Sequence, residues 1–214
     1  DILKRENIKL VAVSAVQFQT GWRMPLENIG EATREAGALL FVDGTQACGC
    51  VPLDMKALRG IDFMACSGHK WLMGLEGAGF LYVRPDAMAN LKPRLVGWLS
   101  GEDAFDFLMR GAGLIRYERP LRTRADVFEG SSPAALGYAA LEASVDLLLE
   151  LGVANIFGHV TAYLDALTEG LRSMGFQTTR RAGYESGIVS IPVESGAQLG
   201  AVHRAMMAAG VACS

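Results

Sequence analysis

The sequence has no excess of charge of either sign. Its 20 lysines and arginines and 23 aspartates and glutamates give a formal net charge of −3, and no charged run is long enough to form an interaction tail. Nucleic acids and anionic membrane surfaces attract proteins through surplus positive charge, which this chain lacks. We therefore expect neither a nucleic acid nor a membrane as a partner.

Long apolar runs are also absent. Residues 1–10 mix charged and apolar positions, so they contain no signal-peptide core. The most apolar helical stretch, residues 134–151, contains Glu142, Asp146 and Glu150, and we expect it to be buried rather than to span a membrane. These absences favour a cytoplasmic protein.

Cysteine and histidine are scarce. The four cysteines, Cys48, Cys50, Cys66 and Cys213, show no disulfide framework. Zinc would need a second ligand pair, and the three histidines lack metal-ligand spacing, so we predict no metal site. Cys48 and Cys50 follow closely on a polar cluster at residues 43–46 and could be reactive, but buried, reduced thiols are the favoured interpretation.

Short apolar runs separated by helical patterns dominate the first part of the chain. Residues 27–36 have helical spacing, and Gly37 is a natural C-terminal stop. Continuous apolar runs are typical of a parallel sheet with both faces covered. This alternation predicts an α/β layered domain, with strands at 10–18, 39–42, 61–66 and 80–83.

The strand–helix rhythm breaks at residues 97–130. This stretch has no steady periodicity, and such a long irregular segment usually has a function or contacts a partner chain. A long helix comes next, with Ser132 predicted as its N-cap and Pro133 as its first helical residue, and it ends before Gly152.

The last part of the chain predicts a further unit. We divide the chain into a large domain, residues 1–150, and part of a smaller C-terminal domain, residues 151–214. The smaller unit is expected to contain a helix, a strand and a helix, at 154–174, 188–193 and 197–209.

Two polar blocks come directly after two of the predicted strands. Asp43-Gly44-Thr45-Gln46 comes after one apolar run, and Ser67-Gly68-His69-Lys70 comes after the next. Ligands of α/β sheets gather outside the carboxyl ends of the strands, so both blocks can contribute to one site.

The side chains of these blocks suit an aldehyde cofactor with a basic ring nitrogen. The amine of Lys70 can form a Schiff base with an aldehyde. The carboxylate of Asp43 can hold a proton on a pyridine nitrogen, and Gln46 can donate its amide to a ring oxygen. Alone, each has a commoner interpretation: a solvated lysine, a turn-forming Asp-Gly, an ordinary loop amide.

The second block also suits a phosphate group. Ser67 and His69 can hydrogen-bond phosphate oxygens, and Gly68 between them lets the backbone approach closely. A histidine by itself is more often a core residue bonded to a carbonyl. The combination with Asp43 and Lys70 is much harder to explain as coincidence.

A glycine-rich pattern, Gly74-x-x-Gly77-x-Gly79, comes after the two polar blocks and suggests a nucleotide-binding dehydrogenase only weakly. Its glycines precede a predicted strand, whereas a dinucleotide-binding loop comes after a strand and opens a helix.

Taken in order, Asp43-Gly44-Thr45-Gln46, Ser67-Gly68-His69-Lys70-Trp71 and Gly74-x-x-Gly77-x-Gly79 resemble the class V aminotransferase and cysteine desulfurase family. These are fold type I pyridoxal-5′-phosphate (PLP) enzymes. The resemblance implies a three-layer α/β sandwich with a mostly parallel sheet, the aspartate aminotransferase-like large domain. It covers nearly the whole chain, including Gly97-Trp98 and Phe128-Glu129-Gly130-Ser131.

The resemblance also implies roles for individual residues. Lys70 would form the Schiff base, Asp43 would pair with the ring nitrogen, and Gln46 would bond the phenolic oxygen. Ser67 and His69 would hold the phosphate. Ser131 matches a position that reaches the phosphate of the neighbouring subunit, which implies a homodimer with shared active sites.

The chain departs from the family pattern in several ways. Family members are nearly twice as long, so this chain resembles an internal fragment or a truncated enzyme. The parts beyond it would provide a ring-stacking residue upstream and a carboxylate-binding arginine downstream. Gln17-Phe18 stands where desulfurases often have Ser-Asn, and Cys213 has no convincing catalytic context.

The leading hypothesis is a PLP-dependent enzyme acting on an amino acid, with transamination as the first choice. Cysteine desulfuration, epimerisation and kynureninase-like cleavage would use the same cluster and stay open. A non-catalytic remnant that serves as a subunit is the alternative from a different class.

Overall fold

The computed structural model describes residues 2–111, 113, 118–193 and 195–213. Part of the irregular stretch predicted at 97–130, namely residues 112 and 114–117, therefore lies outside the described residues.

One sheet organises the described part of the chain. Its strands are β1 (Leu10–Ser14), β2 (Leu39–Asp43), β3 (Phe63–Ser67) and β4 (Gly79–Val83), in the order β1-β2-β3-β4. The pairs β1–β2 and β2–β3 are parallel, and β4 runs antiparallel to β3. This confirms the prediction of a mostly parallel sheet in an α/β fold.

The helices of the described residues come before, between and after the strands. The α-helices are α1 (Ile2–Arg5), α2 (Leu26–Glu35), α3 (Asp106–Arg110), α4 (Ala135–Leu151), α5 (Val153–Ser173) and α6 (Gly196–Ala208). The connection from β1 to β2 is made by α2, and β4 leads into a 3-10 helix at Pro85–Asn90. A second 3-10 helix lies at Ala125–Phe128.

Alternating side chains of β2 enter two different hydrophobic clusters. Leu40 and Val42 are fully buried and pack with Leu26 of α2 on one face of the sheet. Leu39 and Phe41 pack on the opposite face against a cluster that includes Ala87 of the first 3-10 helix. Because successive strand residues point to opposite faces, both faces contribute to cores, as the continuous apolar runs predict.

The start of α4 differs from the prediction. The helix begins at Ala135 with Ala134 as its N-cap and no side-chain cap bond, so the assignment of Ser132 and Pro133 to the first turn was wrong. The preceding segment lies against Gly97, and the Gly130 carbonyl accepts a hydrogen bond from Leu99 N–H at 3.3 Å. The helix starts only after these backbone contacts.

The strand predicted at 188–193 is also wrong, because these residues form no ladder with another described segment. Single hydrogen bonds hold them instead. Thr179 N–H donates to the Ser190 carbonyl at 2.9 Å, and Ser190 Oγ donates to the Gln19 carbonyl at 2.7 Å. Residues 188–193 thus form an irregular segment, although their side chains favour a strand, and this segment is hydrogen-bonded to Thr179 and to Gln19.

No single helix of the described part is both long and apolar enough to cross a membrane. The helices α4 and α5 satisfy the length and composition only as a pair, bent by 77°.

A buried carboxylate joins three strands at the end of the sheet opposite the polar blocks. Asp62 Oδ2 accepts a hydrogen bond from Leu40 N–H at 2.7 Å, and Oδ1 accepts from the guanidinium of Arg84. The backbone repeats the link, since Arg84 N–H donates to the Asp62 carbonyl at 2.8 Å. The hydrogen bond with Asp62 raises the pKa of Arg84, so the guanidinium stays charged.

We expect Asp62→Ala to lower the free energy of unfolding by about 2–3 kcal/mol, because hydrogen bonds to charged groups are lost and a buried N–H is left without a partner. Urea unfolding measures the change. Asp86→Asn is the matched control, since Asp86 pairs with the same arginine at 3.4 Å but is 87% exposed. That control should cost less than about 1 kcal/mol; equal losses in both variants would contradict the role given to Asp62.

Candidate active site

The register of the sheet places the two polar blocks at one edge. Asp43 is the last residue of β2 and pairs with Ala65 of β3, and Ser67 ends β3 two residues later. Side chains two residues apart in a strand share a face, so Asp43 and Ser67 lie on the same face at the carboxyl ends of parallel strands. The structure thus brings together the two blocks that the sequence separates.

Asp43 is fixed by its backbone while its side chain is exposed. Its carbonyl accepts a hydrogen bond from Ala15 N–H at 2.8 Å, which ties it to the segment after β1. Its Oδ1 accepts from Thr45 N–H at 2.9 Å. Within the described residues Oδ2 has no hydrogen-bond partner, so one carboxylate oxygen is available to a ligand.

Thr45 links the two blocks, a role that the sequence did not reveal. Its Oγ1 accepts a hydrogen bond from Ser67 N–H at 3.2 Å. The turn after β2 is therefore attached to the end of β3 by a side chain from within the first block. Gln46 lies half-buried in the same turn.

The turn that carries Lys70 is closed by backbone hydrogen bonds. Gly68 N–H donates to the Ala78 carbonyl and Gly74 N–H to the Gly68 carbonyl, both at 2.8 Å. A Cβ on Gly68 would lie 2.9 Å from the Ala78 oxygen, so only glycine fits this close approach. Ser67, His69 and Lys70 project from this turn as exposed side chains.

The C-terminal part of the chain forms a wall beside this turn. A Cβ on Gly187 would overlap the indole ring of Trp71, the neighbour of Lys70, and would lie 2.9 Å from Cys50 Sγ. Burial raises the pKa of the Cys50 thiol to about 11. Sequence patterns gave no signal for this contact, because it joins segments more than a hundred residues apart.

Ser131 is not brought to the other predicted site residues within this chain. It lines a cavity of about 1130 Å³ together with Arg94, Phe105 and Arg122. Neither Asp43 nor Lys70 lines this cavity. The edge that carries Asp43, Ser67, His69 and Lys70 is instead an open surface of the described chain.

A family model and the similar proteins agree on the family that this chain resembles. The family model "Aminotransferase class-V" matches residues 2–214. An uncharacterized aminotransferase, YcbU of Bacillus subtilis, is 32% identical over 85% of this chain and 46% of its own length. A probable cysteine desulfurase of Aeropyrum pernix is 32% identical over 87% of this chain and 45% of its own length.

The fold is shared with solved structures. A variant of C-DES with glycine covalently linked to its PLP cofactor matches with a TM-score of 0.81 at 26% identity. The match covers 95% of this chain and 52% of the C-DES chain. This chain therefore spans about half the length of the relatives that it matches.

Proposed function

This chain belongs to the class-V aminotransferase family, and from that premise we propose that it provides the PLP-binding part of an enzyme that transaminates an amino acid. The observation that carries the proposal is the edge where Asp43, Ser67 and the Lys70 turn meet. That edge presents an acid, a hydroxyl, an imidazole and an amine to one side of the sheet.

The donor set of this edge fits PLP. The cofactor has a basic ring nitrogen, a phosphate and an aldehyde, and Asp43, Ser67 with His69, and Lys70 match these groups in charge and reactivity. When bound, PLP supplies an electron-withdrawing ring that stabilises the charge left by breaking a bond to the substrate Cα.

Lys70 is proposed to act first as a nucleophile and then as a base. Its Nζ is the amine of this edge that would hold the cofactor through its aldehyde and be released when a substrate binds. Once free, the same amine would take the proton from the substrate Cα as a base and give it back as an acid, which is the proton transfer that transamination requires.

Asp43 and the second block are proposed to hold the ring at both ends. The free Oδ2 of Asp43 would accept a hydrogen bond from the protonated ring nitrogen and so keep that nitrogen cationic. At the other end Ser67 and His69 would donate hydrogen bonds to the phosphate, and Gln46 would donate to the phenolic oxygen.

A cysteine desulfurase is the second candidate, supported by the similarity to probable cysteine desulfurases. Epimerisation and kynureninase-like cleavage would use the same residues. Assay of keto-acid formation against sulfide release from cysteine separates the first two. A protein that takes up no PLP and develops no absorbance band would instead be the non-catalytic remnant.

We also propose that residues 1–150 form the cofactor-binding domain and that residues 151–214 belong to a smaller C-terminal domain. The sheet and its three hydrophobic clusters lie mainly in the first range, which supports this division.

A homodimer is proposed as the partner arrangement, because Ser131 lies away from the other site residues and beside exposed apolar side chains. Leu95, Phe105, Phe128 and Tyr138 are exposed and line the same cavity as Ser131. Apolar patches of this kind commonly become buried between subunits. In such a dimer Ser131 would reach the phosphate bound by the neighbouring subunit, which is the role that the family resemblance implies for it.

We predict that Lys70→Ala abolishes the covalent attachment of PLP and lowers transamination by at least about 10²-fold, since general acid–base catalysis contributes that much or more. Borohydride reduction followed by peptide mass spectrometry locates the attachment in the unchanged protein. Lys56→Ala, a change of an exposed lysine outside the cluster, is the control. PLP attached to another lysine would contradict the assignment.

For Asp43→Asn we expect the dissociation constant of PLP to rise by about 10- to 100-fold, the equivalent of a lost charged hydrogen bond. An asparagine oxygen still accepts from Thr45 N–H, so the turn is kept and only the charge is removed. Titration followed by absorbance measures the affinity, with Asp54→Asn as control. Unchanged affinity and activity would rule out the proposed contact with the ring nitrogen.

Sedimentation of the 22.9 kDa chain should give the mass of a dimer. Leu95→Lys should shift the protein toward monomer, because a charged group would then have to be buried in the interface. Leu199→Lys changes an exposed leucine of α6 and should leave the dimer intact. A monomer at all concentrations would overturn the dimer proposal.

A further inference from the structure

Two thiols that the proposed mechanism does not use lie together behind the polar edge. Cys66 is a buried residue of β3, and Cys48 lies in the turn after Asp43. The two thiols interact, since each shifts the pKa of the other. Cys48 also packs against the hydrophobic cluster that contains Cys66.

The backbone explains why these two thiols meet. Gly44 N–H donates to the Ala65 carbonyl at 2.8 Å, which holds the start of the turn beside β3, and Cys48 N–H donates back to the Gly44 carbonyl at 2.9 Å. Cys48 Sγ lies 4.0 Å from Met64 Sδ. Met64 and Cys66 are two residues apart in β3, so the Cys48 sulfur lies on the face that carries Cys66.

Access to the two thiols is unequal. Cys48 lines a cavity of about 760 Å³ between the start of α2 and the loop that includes Pro52 and Leu58, whereas Cys66 is not among its lining residues. Interaction with Cys66 lowers the pKa of Cys48, and interaction with Cys48 together with burial raises the pKa of Cys66. Cys48 therefore has both the better access and the more reactive thiolate.

Cys50 is separated from this pair despite its position two residues after Cys48. Its Sγ lies against Gly187 and Trp71, on the side of the C-terminal wall. Burial keeps its thiol protonated, so Cys50 is a poor competitor for the same reaction.

We propose that Cys48 and Cys66 are a site of reversible oxidation and form a disulfide when the protein meets a peroxide. Formation of this bond does not require the proposed transaminase activity, because it depends only on the positions of the two thiols. It also differs from the expectation of inert thiols, since the sequence does not show that Cys48 packs against the cluster that contains Cys66.

The reaction with hydrogen peroxide proceeds in two displacements. The Cys48 thiolate attacks one peroxide oxygen, the O–O bond breaks, and hydroxide leaves with the proton that Cys48 had released, as water. The Cys66 sulfur then attacks the Cys48 sulfenic acid, the S–O bond breaks, and the leaving hydroxide takes the Cys66 proton as a second water. The two sulfurs are oxidised by two electrons, and the peroxide is reduced by two.

Oxidation of Cys48 and Cys66 changes the hydrogen bonding and packing next to Ser67 and Asp43. The Cys66 thiol also lies 3.5 Å from the Ser67 carbonyl, and the disulfide removes this donor. An S–S bond of about 2 Å requires the turn after Asp43 to move toward β3. The effect on PLP affinity rests on the proposed function, whereas the bond itself can be observed without cofactor.

The test is peptide mapping of the unchanged protein after hydrogen peroxide, with alkylation of the remaining thiols. We expect a peptide pair joined through Cys48 and Cys66, lighter by two hydrogen atoms and separated again by dithiothreitol. Mapping of the unchanged protein needs no variant to fold. Thiols that all stay alkylatable, or a Cys48 oxidised further to sulfinic acid without a cross-link, would overturn the proposal.

Matched variants identify which cysteine forms the disulfide with Cys48. Cys50→Ser should form the disulfide at the rate of the unchanged protein, and Cys213→Ser should also form it, because Cys213 is exposed and lies in another segment. Cys66→Ser should give no intramolecular cross-link and should accumulate Cys48 sulfenic acid, detected with dimedone. A bond between Cys48 and Cys50 in the unchanged protein would contradict the assignment of Cys66.

Discussion

The sheet depends on one buried carboxylate, that of Asp62. Its two oxygens reach strand β2 through Leu40 N–H and strand β4 through Arg84, while its own backbone leads into β3. A buried carboxylate requires such partners, because its desolvation is otherwise costly. These bonds therefore hold the three strands together at their common end without the help of a ligand.

The position of the polar edge results from the register between β2 and β3. Asp43 pairs with Ala65, and Thr45 accepts from Ser67 N–H, so the two blocks meet only when β2 and β3 are aligned as observed. A slip of one residue would turn every side chain of a strand to the other face. The ion pair of Asp62 and the proposed cofactor edge thus lie at opposite ends of the same strands but depend on one alignment.

The local sequence predicts the strands and the turn of Lys70, but it does not predict features that depend on contacts between distant segments. The strands and the Lys70 turn are bounded by apolar runs and polar blocks, which neighbouring residues determine. The start of α4 instead depends on contacts between Gly97 and Gly130, and the irregular segment at 188–193 depends on Gln19. Likewise, Cys48 packs against the cluster that contains Cys66 because the turn after β2 lies beside β3, and the spacing of the two cysteines along the chain does not predict this.

The contact between the C-terminal segment and the first loop has a consequence for the order of folding. Ser186 Oγ donates to the Gly21 carbonyl at 2.6 Å across 165 positions of sequence, and the adjacent Gly187 packs on Trp71. Contacts of such separation form late, because the intervening chain must first be ordered. On the ribosome, the sheet and the lysine turn emerge well before this segment. The wall beside Lys70 is therefore added only after the sheet has formed, and the earlier chain passes through a state in which that side of the turn is open to solvent.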